Sequence, residues 1–233
     1  MVILFRRRNL IAVFLLLLSA IGIFFLLRGK NAVSVLSPEK IGTTVIIDAG
    51  HGGADGGAVA QNGVVESGLN LQIAGKVKEL FVFFGQPTVM TRTGEDGLYN
   101  ADSNTIRQKK VADTRNRVSL INGYEPAVLI SIHQNSMPNA PKVQGAQVFY
   151  NGQDGARELA DTVQMALNCA INSGREKNPA LIAKSVYIMS HVHCRAVLVE
   201  CGFLSNAEDT ERLQQDDYQR KLAAAIVCGY LNE

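Results

Sequence analysis

No two of the four cysteines, Cys169, Cys194, Cys201 and Cys228, have the Cys-x-x-Cys spacing of a thiolate metal site. Cys194 and Cys201 fall on one expected strand, about 23 Å apart by strand rise and on opposite faces, so they cannot bond to each other. All four are expected to be buried as small apolar residues. Clustered positive charge is scarce too. Residues 1–40 hold six Lys or Arg against the single Glu39, so they carry +5 of a formal net charge of +2 and leave −3 for the rest. In that remainder the basic residues are scattered and the longest basic run is Lys109-Lys110, which excludes a nucleic-acid footprint. Internal repeats are absent, and no second domain is visible. With 47% apolar and 19% charged residues, the chain is nonetheless a folded rather than a disordered protein.

One long apolar stretch stands out. Leu10 to Leu27 is interrupted only by Ser19 and Gly22, follows Arg6, Arg7 and Arg8, and is closed by Arg28 and Lys30. Such a run is long enough to span a bilayer and has no polar face, which argues against a core helix. Residues 1–30 are therefore expected to be an uncleaved membrane anchor with its N-terminus in the cytoplasm, the alternative being a cleaved signal segment. Residues 31–42, with Ser34, Ser37, Pro38 and Gly42, read as a linker, and residues 43–233 as the folded domain outside the cytoplasm.

That domain alternates short apolar runs with amphipathic stretches. Thr43 to Ile47, Thr88 to Met90, Ala127 to Ile132, Gln147 to Tyr150 and Ala196 to Val199 suit strands buried on both faces. Leu69, Ile73, Val77, Leu80 and Phe81 recur at helical spacing, as do Leu159, Ala160, Val163 and Leu167, and Leu222, Ile226 and Tyr230. The pattern predicts an α/β fold, a mostly parallel central sheet with helices on both faces.

Three of the strands deliver a polar residue at their C-terminal ends: His51 in Asp48-Ala49-Gly50-His51-Gly52-Gly53, His133 in His133-Gln134-Asn135, and Glu200 in Glu200-Cys201-Gly202. In an open α/β sheet, ligands bind at that edge. Glu66 stands at the start of the first amphipathic helix, with Asn70 one turn on. Two imidazoles and a carboxylate form a zinc set with an open fourth position, and a second carboxylate can serve as base. From the residues alone the alternative stays open that His51 and His133 are loop histidines bonded to backbone and that Glu66 is a helix N-terminal acid.

The stretches Val45 to Gly53 (VIIDAGHGG), Glu66 to Asn70 (ESGLN), Ser131 to Asn135 (SIHQN) and Val199 to Asn206 (VECGFLSN) resemble the ordered motifs of the zinc-dependent N-acetylmuramoyl-L-alanine amidases of the AmiC and LytC type, the amidase 3 family. The likeness covers roughly residues 43–231. It implies one Zn²⁺ held by His51, Glu66 and His133, with Glu200 as catalytic glutamate; composition does not tell the two glutamates apart. Arg92 and Arg115 match recurrent family positions, where a structural bridge and a substrate contact are both open readings. Asn70, Asn135 and Asn206 could orient ligands or serve as caps. Met189-Ser190 and Arg195 depart from the family pattern beside the last active-site strand, which bears on substrate fit. His191 and His193 read as exposed loop residues.

The resemblance implies hydrolysis of the amide between the lactyl group of N-acetylmuramic acid and L-alanine in peptidoglycan. A short chain with an anchor and without wall-binding repeats is similar to the germination and spore-cortex amidases of the CwlD subfamily, which prepare cortex for muramic δ-lactam formation. The expected partners are peptidoglycan, the membrane through the N-terminal segment, and an activating protein of unknown identity. Two other readings are kept: a non-catalytic peptidoglycan-binding module displayed on the membrane, and an exported zinc peptidase. Turnover separates the first from an amidase, and cleavage of a sugar-free peptide separates the second.

Overall fold

The β-branched run Thr44–Ala49 forms the first strand, β1, of the computed structural model, which describes residues 42–99 and 105–233. Five further strands follow: β2 (Thr88–Met90), β3 (Ala127–Asn135), β4 (Gln147–Tyr150), β5 (Ala180–Leu181) and β6 (Arg195–Phe203). They form one sheet in the order β2-β1-β3-β6-β4-β5. Every neighbouring pair is parallel except β4 with β6. The mostly parallel sheet expected from the sequence is thus present. The expected anchor and all but the last residue of the linker lie outside the described residues; among those described, no helix is long and apolar enough to cross a membrane.

The helices are α1 (Glu66–Phe83), α2 (Ile106–Asn122), α3 (Ala156–Ala170), α4 (Tyr187–His191), α5 (Ala207–Leu213) and α6 (Asp216–Leu231). Strand alternation sends Val45, Ile47, Val128, Ile130, Val197 and Val199 to one face, where α1, α3 and α6 pack. Ile46, Leu129, Ala196 and Leu198 point to the other, against Ile121 of α2 and Ile188 and Met189 of α4. Both faces are covered, as parallel sheets require. Each completely buried Leu, Ile or Val adds about 1.5–3 kcal/mol of hydrophobic stabilisation, and these strands carry a continuous run of them.

The cysteine expectation fails in part. Cys201 is buried and Cys194 half-buried, but Cys169 and Cys228 are exposed. Cys169 lies off the buried stripe of α3, whose members are Leu159, Ala160, Val163, Gln164 and Leu167.

Candidate metal centre

β1 and β3 run in register from Thr44↔Ala127 to Ala49↔Ile132, so the chain leaves both strands side by side. Gly50 then donates its N–H to Ile132 O at 3.1 Å and lies against the His133 ring so closely that a Cβ at position 50 would strike it. His51 follows in the left-handed region, φ 62°, a conformation that costs a non-glycine residue on the order of 1 kcal/mol and persists only where the surroundings hold it. What holds it is visible. Gly52 N–H donates to Asp55 O at 2.7 Å, and the His51 carbonyl accepts from Arg117 Nη2 at 2.6 Å.

Glu66, the first residue of α1, reaches back between the two imidazoles. Its Oε1 lies 3.2 Å from His51 Nε2 and 3.1 Å from His133 Nδ1, and accepts from Gln134 N at 3.1 Å and Asn70 Nδ2 at 3.3 Å. Its Oε2 accepts from Ala58 N at 2.8 Å. A Cβ at Gly57 would strike both Glu66 Oε2 and the His51 ring, so glycine is needed for the loop to close over them. The three ligand atoms lie within 4.8 Å of one another. The 3.1 and 3.2 Å separations are close to the roughly 3.3 Å expected between tetrahedral ligands about 2.0–2.1 Å from one zinc ion. The donor chemistry and spacing fit such an ion. Asp55 Oδ2 sits 2.9 Å from His51 Nδ1, an arrangement that puts the ring proton on Nδ1 and leaves Nε2 free to ligate.

Charge follows the same geometry. Burial disfavours the His51 imidazolium, but hydrogen bonds and charge from Glu66 and then Asp55 outweigh it and push the group up to about 9. For Glu66, burial works upward while the His133 and His51 contacts prevail and hold the carboxyl well below the usual range. Glu200 behaves oppositely. Its register partner on the adjacent strand is His133, so both side chains leave the same face of the sheet about 4.8 Å apart by strand spacing. Glu200 Oε2 is enclosed and has no hydrogen-bond partner. Burial pushes this carboxyl up to about 7, with His133 easing and Glu66 reinforcing the rise. The neighbouring Cys201 thiol is fully buried and is also pushed up by that burial.

Beneath the histidines lies a buried ionic layer. Asp48 accepts from Arg117 Nη1 at 2.6 Å, Thr91 Oγ1 at 2.7 Å and Ser131 Oγ at 2.7 Å. Burial alone would raise its carboxyl, but Arg117, His133 and the two hydroxyls hold it at about 2. Arg117 Nε also donates to Asp113 Oδ2 at 2.7 Å, and Nη1 to Ala49 O at 2.8 Å. Arg92 donates to Ala49 O, Gly50 O, Gly94 O and Ser67 O. Two guanidinium groups therefore grip the carbonyls of residues 49, 50 and 51. Arg92 is the structural contact left open by the sequence. Arg115 is exposed, and Arg117, two positions on, touches the His51 loop instead.

The remaining sequence candidates divide. Asn70 bonds Glu66, Gly50 O and Gln134, so it helps fix the orientation of the Glu66 carboxylate. Asn206 is the N-cap of α5, and Asn135 lies at the irregular end of β3, its carbonyl accepting from Leu204 N. His191 stacks on Tyr187, with its Nδ1 2.8 Å from Tyr187 O, and both His191 and His193 are exposed outside the cluster. Arg195 opens β6, five residues and about 16 Å before Glu200, and pairs with Glu233. This departure from the family pattern thus lies at the end of β6 away from Glu200. Asp55, Asp113 and Arg117 were not singled out. The signal for the last two is an Asp and an Arg one helical turn apart, in line with the apolar Ile121 one turn further on.

Comparison with known proteins places these residues in a family. The amidase 3 profile, described as N-acetylmuramoyl-L-alanine amidase, matches residues 45–232. The germination-specific N-acetylmuramoyl-L-alanine amidase of Bacillus subtilis (strain 168) is 34% identical over 191 residues, covering 82% of this chain and 79% of the relative. The CwlD amidase of Clostridioides difficile, solved in complex with the GerS lipoprotein, superposes with a TM-score of 0.77 at 33% identity over 80% of this chain and 95% of that one. An N-acetylmuramoyl-L-alanine amidase from Clostridium difficile 630 gives a TM-score of 0.69 at 30% identity, covering 81% and 95%.

Proposed function

The chain belongs to the amidase 3 family of N-acetylmuramoyl-L-alanine amidases, and from that membership we propose that it is a zinc enzyme of spore-cortex maturation, held at the membrane with its site outside the cytoplasm. It is a peptidoglycan amidase, cutting between the lactyl carbonyl of N-acetylmuramic acid and L-alanine. The observation that carries the zinc reading is the convergence of His51 Nε2 and His133 Nδ1 on one Glu66 oxygen, with the unpartnered Glu200 oxygen on the adjoining strand.

His51, Glu66 and His133 would hold the ion, with Asp55 and Asn70 orienting His51 and Glu66. Zinc held there would supply Lewis-acid polarisation of the scissile carbonyl and would lower the pKa of the attacking water towards about 7. Glu200 accepts the proton of the attacking water on its free Oε2, and its raised affinity for protons suits it to keep that proton briefly. It then delivers the proton to the alanine nitrogen as the C–N bond breaks, leaving a lactyl carboxylate and a free amine. Base-then-acid assistance of this kind contributes about 10²- to 10⁴-fold.

The cortex assignment draws on the germination-specific relative, and membrane attachment on the Leu10 to Leu27 run behind Arg6 to Arg8. The CwlD amidase that forms a complex with a lipoprotein supports a protein partner for this chain as well. The deciding experiment incubates the purified chain with cortex and with vegetative peptidoglycan, with and without zinc, and identifies the fragments by mass. Expected are zinc-dependent peptides with a new L-alanine amine, released faster from cortex. Glycosidic or peptide-internal cuts would overturn the reading.

A further inference from the structure

The two flanks of the metal site differ in charge. On the α2 flank, Lys110 Nζ lies 2.9 Å from Asp55 Oδ1, and Asp55 holds His51. Lys109 Nζ stands 5.5 Å from the centre of the Tyr99 ring, whose hydroxyl accepts from Ala54 N. Two ammonium groups thus border the His51 loop. Lys110, half-exposed, has donors left for a ligand.

In the sheet β3 lies between β1, which leads to the His51 loop, and β6, and just past the end of β6 a cavity of about 590 Å³ is lined by Gln61, Asn62 and the segment Leu204 to Gln214. Both walls are close in sequence to residues of the site. Gln61 and Asn62 lie within the turn closed by the Val59↔Val65 bridge, immediately before Glu66. Leu204 follows Glu200 by four residues and donates to Asn135 O, two residues past His133. The lining offers amides, hydroxyls and the Glu208 and Glu211 carboxylates, without any Lys or Arg. Glu208 is already paired with Arg212. Val59, Val65 and Met137, all exposed, add apolar surface next to these walls.

The substrate is asymmetric in the same sense. Its glycan half is uncharged and bears hydroxyl and acetamido groups, whereas its peptide half carries carboxylates. Resting on the amidase reading, we infer that the cavity between Gln61-Asn62 and Leu204–Gln214 takes the N-acetylated sugar chain while Lys109 and Lys110 take the peptide carboxylates, so that substrate crosses the site in one direction. A carboxylate placed in the cavity would meet the Glu211 carboxylate, and the guanidinium of the same segment, Arg212, is already paired with Glu208, so lost hydration would go uncompensated. Sugar hydroxyls and acetamido groups find both donors and acceptors among Gln61, Asn62, Ser205 and Gln214. The volume lies within the range of small-ligand sites.

The test uses the full chain carrying Glu200→Gln, so that ligands bind without turnover, and calorimetry with two probes. One is the N-acetylglucosaminyl-N-acetylmuramic acid disaccharide as its uncharged lactyl methylamide; the other is the free stem tripeptide beginning with L-alanine. Gln61→Trp, or Gln214→Trp on the opposite wall, should weaken disaccharide binding at least about tenfold and spare the peptide. Lys109→Gln with Lys110→Gln should weaken the peptide by a similar factor and spare the disaccharide, and added salt should weaken the peptide alone. Unchanged metal content and thermal midpoint verify each variant. The crossed pattern, equal loss of both ligands in one variant, or no change in either would overturn the inference. Failure of the amidase reading shows separately, as absence of new L-alanine amines when the unmodified chain meets peptidoglycan.

Discussion

Replacing Arg117 by Met tests whether the buried ionic layer supports the site. The side chain is 3% exposed and donates at 2.6–2.8 Å to Asp48, Asp113, Ala49 O and His51 O. Removing one partner from a buried ionic set leaves the others uncompensated, which costs about 3–5 kcal/mol. Against a usual stability of about 5–15 kcal/mol the variant should still fold, with a thermal midpoint lower on the order of 10 °C. Arg115→Met, at an exposed position of the same helix, should stay within about 0.5 kcal/mol. The pH dependence gives a sharper check. Asp48 is held at about 2 against an ordinary 3.8, so its ionised form contributes about 2.5 kcal/mol, present above pH 4 and lost as pH falls through 2. Without Arg117 that carboxyl rises, so the variant's deficit should be largest near pH 7 and shrink near pH 3. Denaturant unfolding of both variants at the two pH values measures it. Equal midpoints for Arg117→Met and Arg115→Met, or a deficit independent of pH, would refute the reasoning.

His133→Ala should leave a folded chain whose zinc affinity falls by more than the roughly 10–100-fold that loss of an outer hydrogen-bonding partner costs; metal content after dialysis reports it, and stoichiometric zinc in the variant would place the ion elsewhere. Because His51 holds its proton up to about 9 in the metal-free chain, binding must displace it, so affinity should drop about tenfold per pH unit on acidification below 9. A pH-independent constant in competition titrations at pH 6, 7 and 8 would contradict the assigned ligand. Glu200→Gln should keep zinc yet turn over at least about 10²-fold more slowly. Since the Glu200 carboxyl sits at about 7 against an ordinary 4.5, folding loses stability as pH rises between those values; the same variant should therefore stabilise the metal-free chain at pH 8 by up to about 3 kcal/mol, but not at pH 4. A C-terminal reporter should be cleaved by protease added to cells stripped of their wall, and a protected, cytosolic full-length chain would contradict export.

The strands were legible because β-branched runs such as Thr44–Ala49 bury both faces, and the strand-end rule aimed His51, His133 and Glu200 at one edge. Helix α2 shows why the ionic layer was not. Its buried residues are Asp113, Arg117 and Ile121, a stripe at i, i+4 and i+8 that is charged at two of three positions. Hydrophobic periodicity cannot register such a stripe, and it offers no reason to prefer Arg117 over Arg115, which lies about 200° away around the helix. The antiparallel placement of β4 and the two-residue β5 are set by tertiary packing and have no local signature.

Composition left the two glutamates equivalent, and the difference lies in what surrounds each oxygen. Glu66 accepts from Gln134 N, Asn70 Nδ2 and Ala58 N while facing two imidazoles, so its charge is stabilised and its position fixed. A ligand must stay ionised and still, and both conditions are met. Glu200 has an enclosed oxygen without a partner and a carboxyl raised to about 7. Such a group exchanges protons near neutral pH at little cost and would make a poor permanent ligand. The proposed division of labour, with Glu66 as ligand and Glu200 as base, rests on one carboxylate saturated with donors and another deprived of them, on elements that the sheet register brings to the same edge.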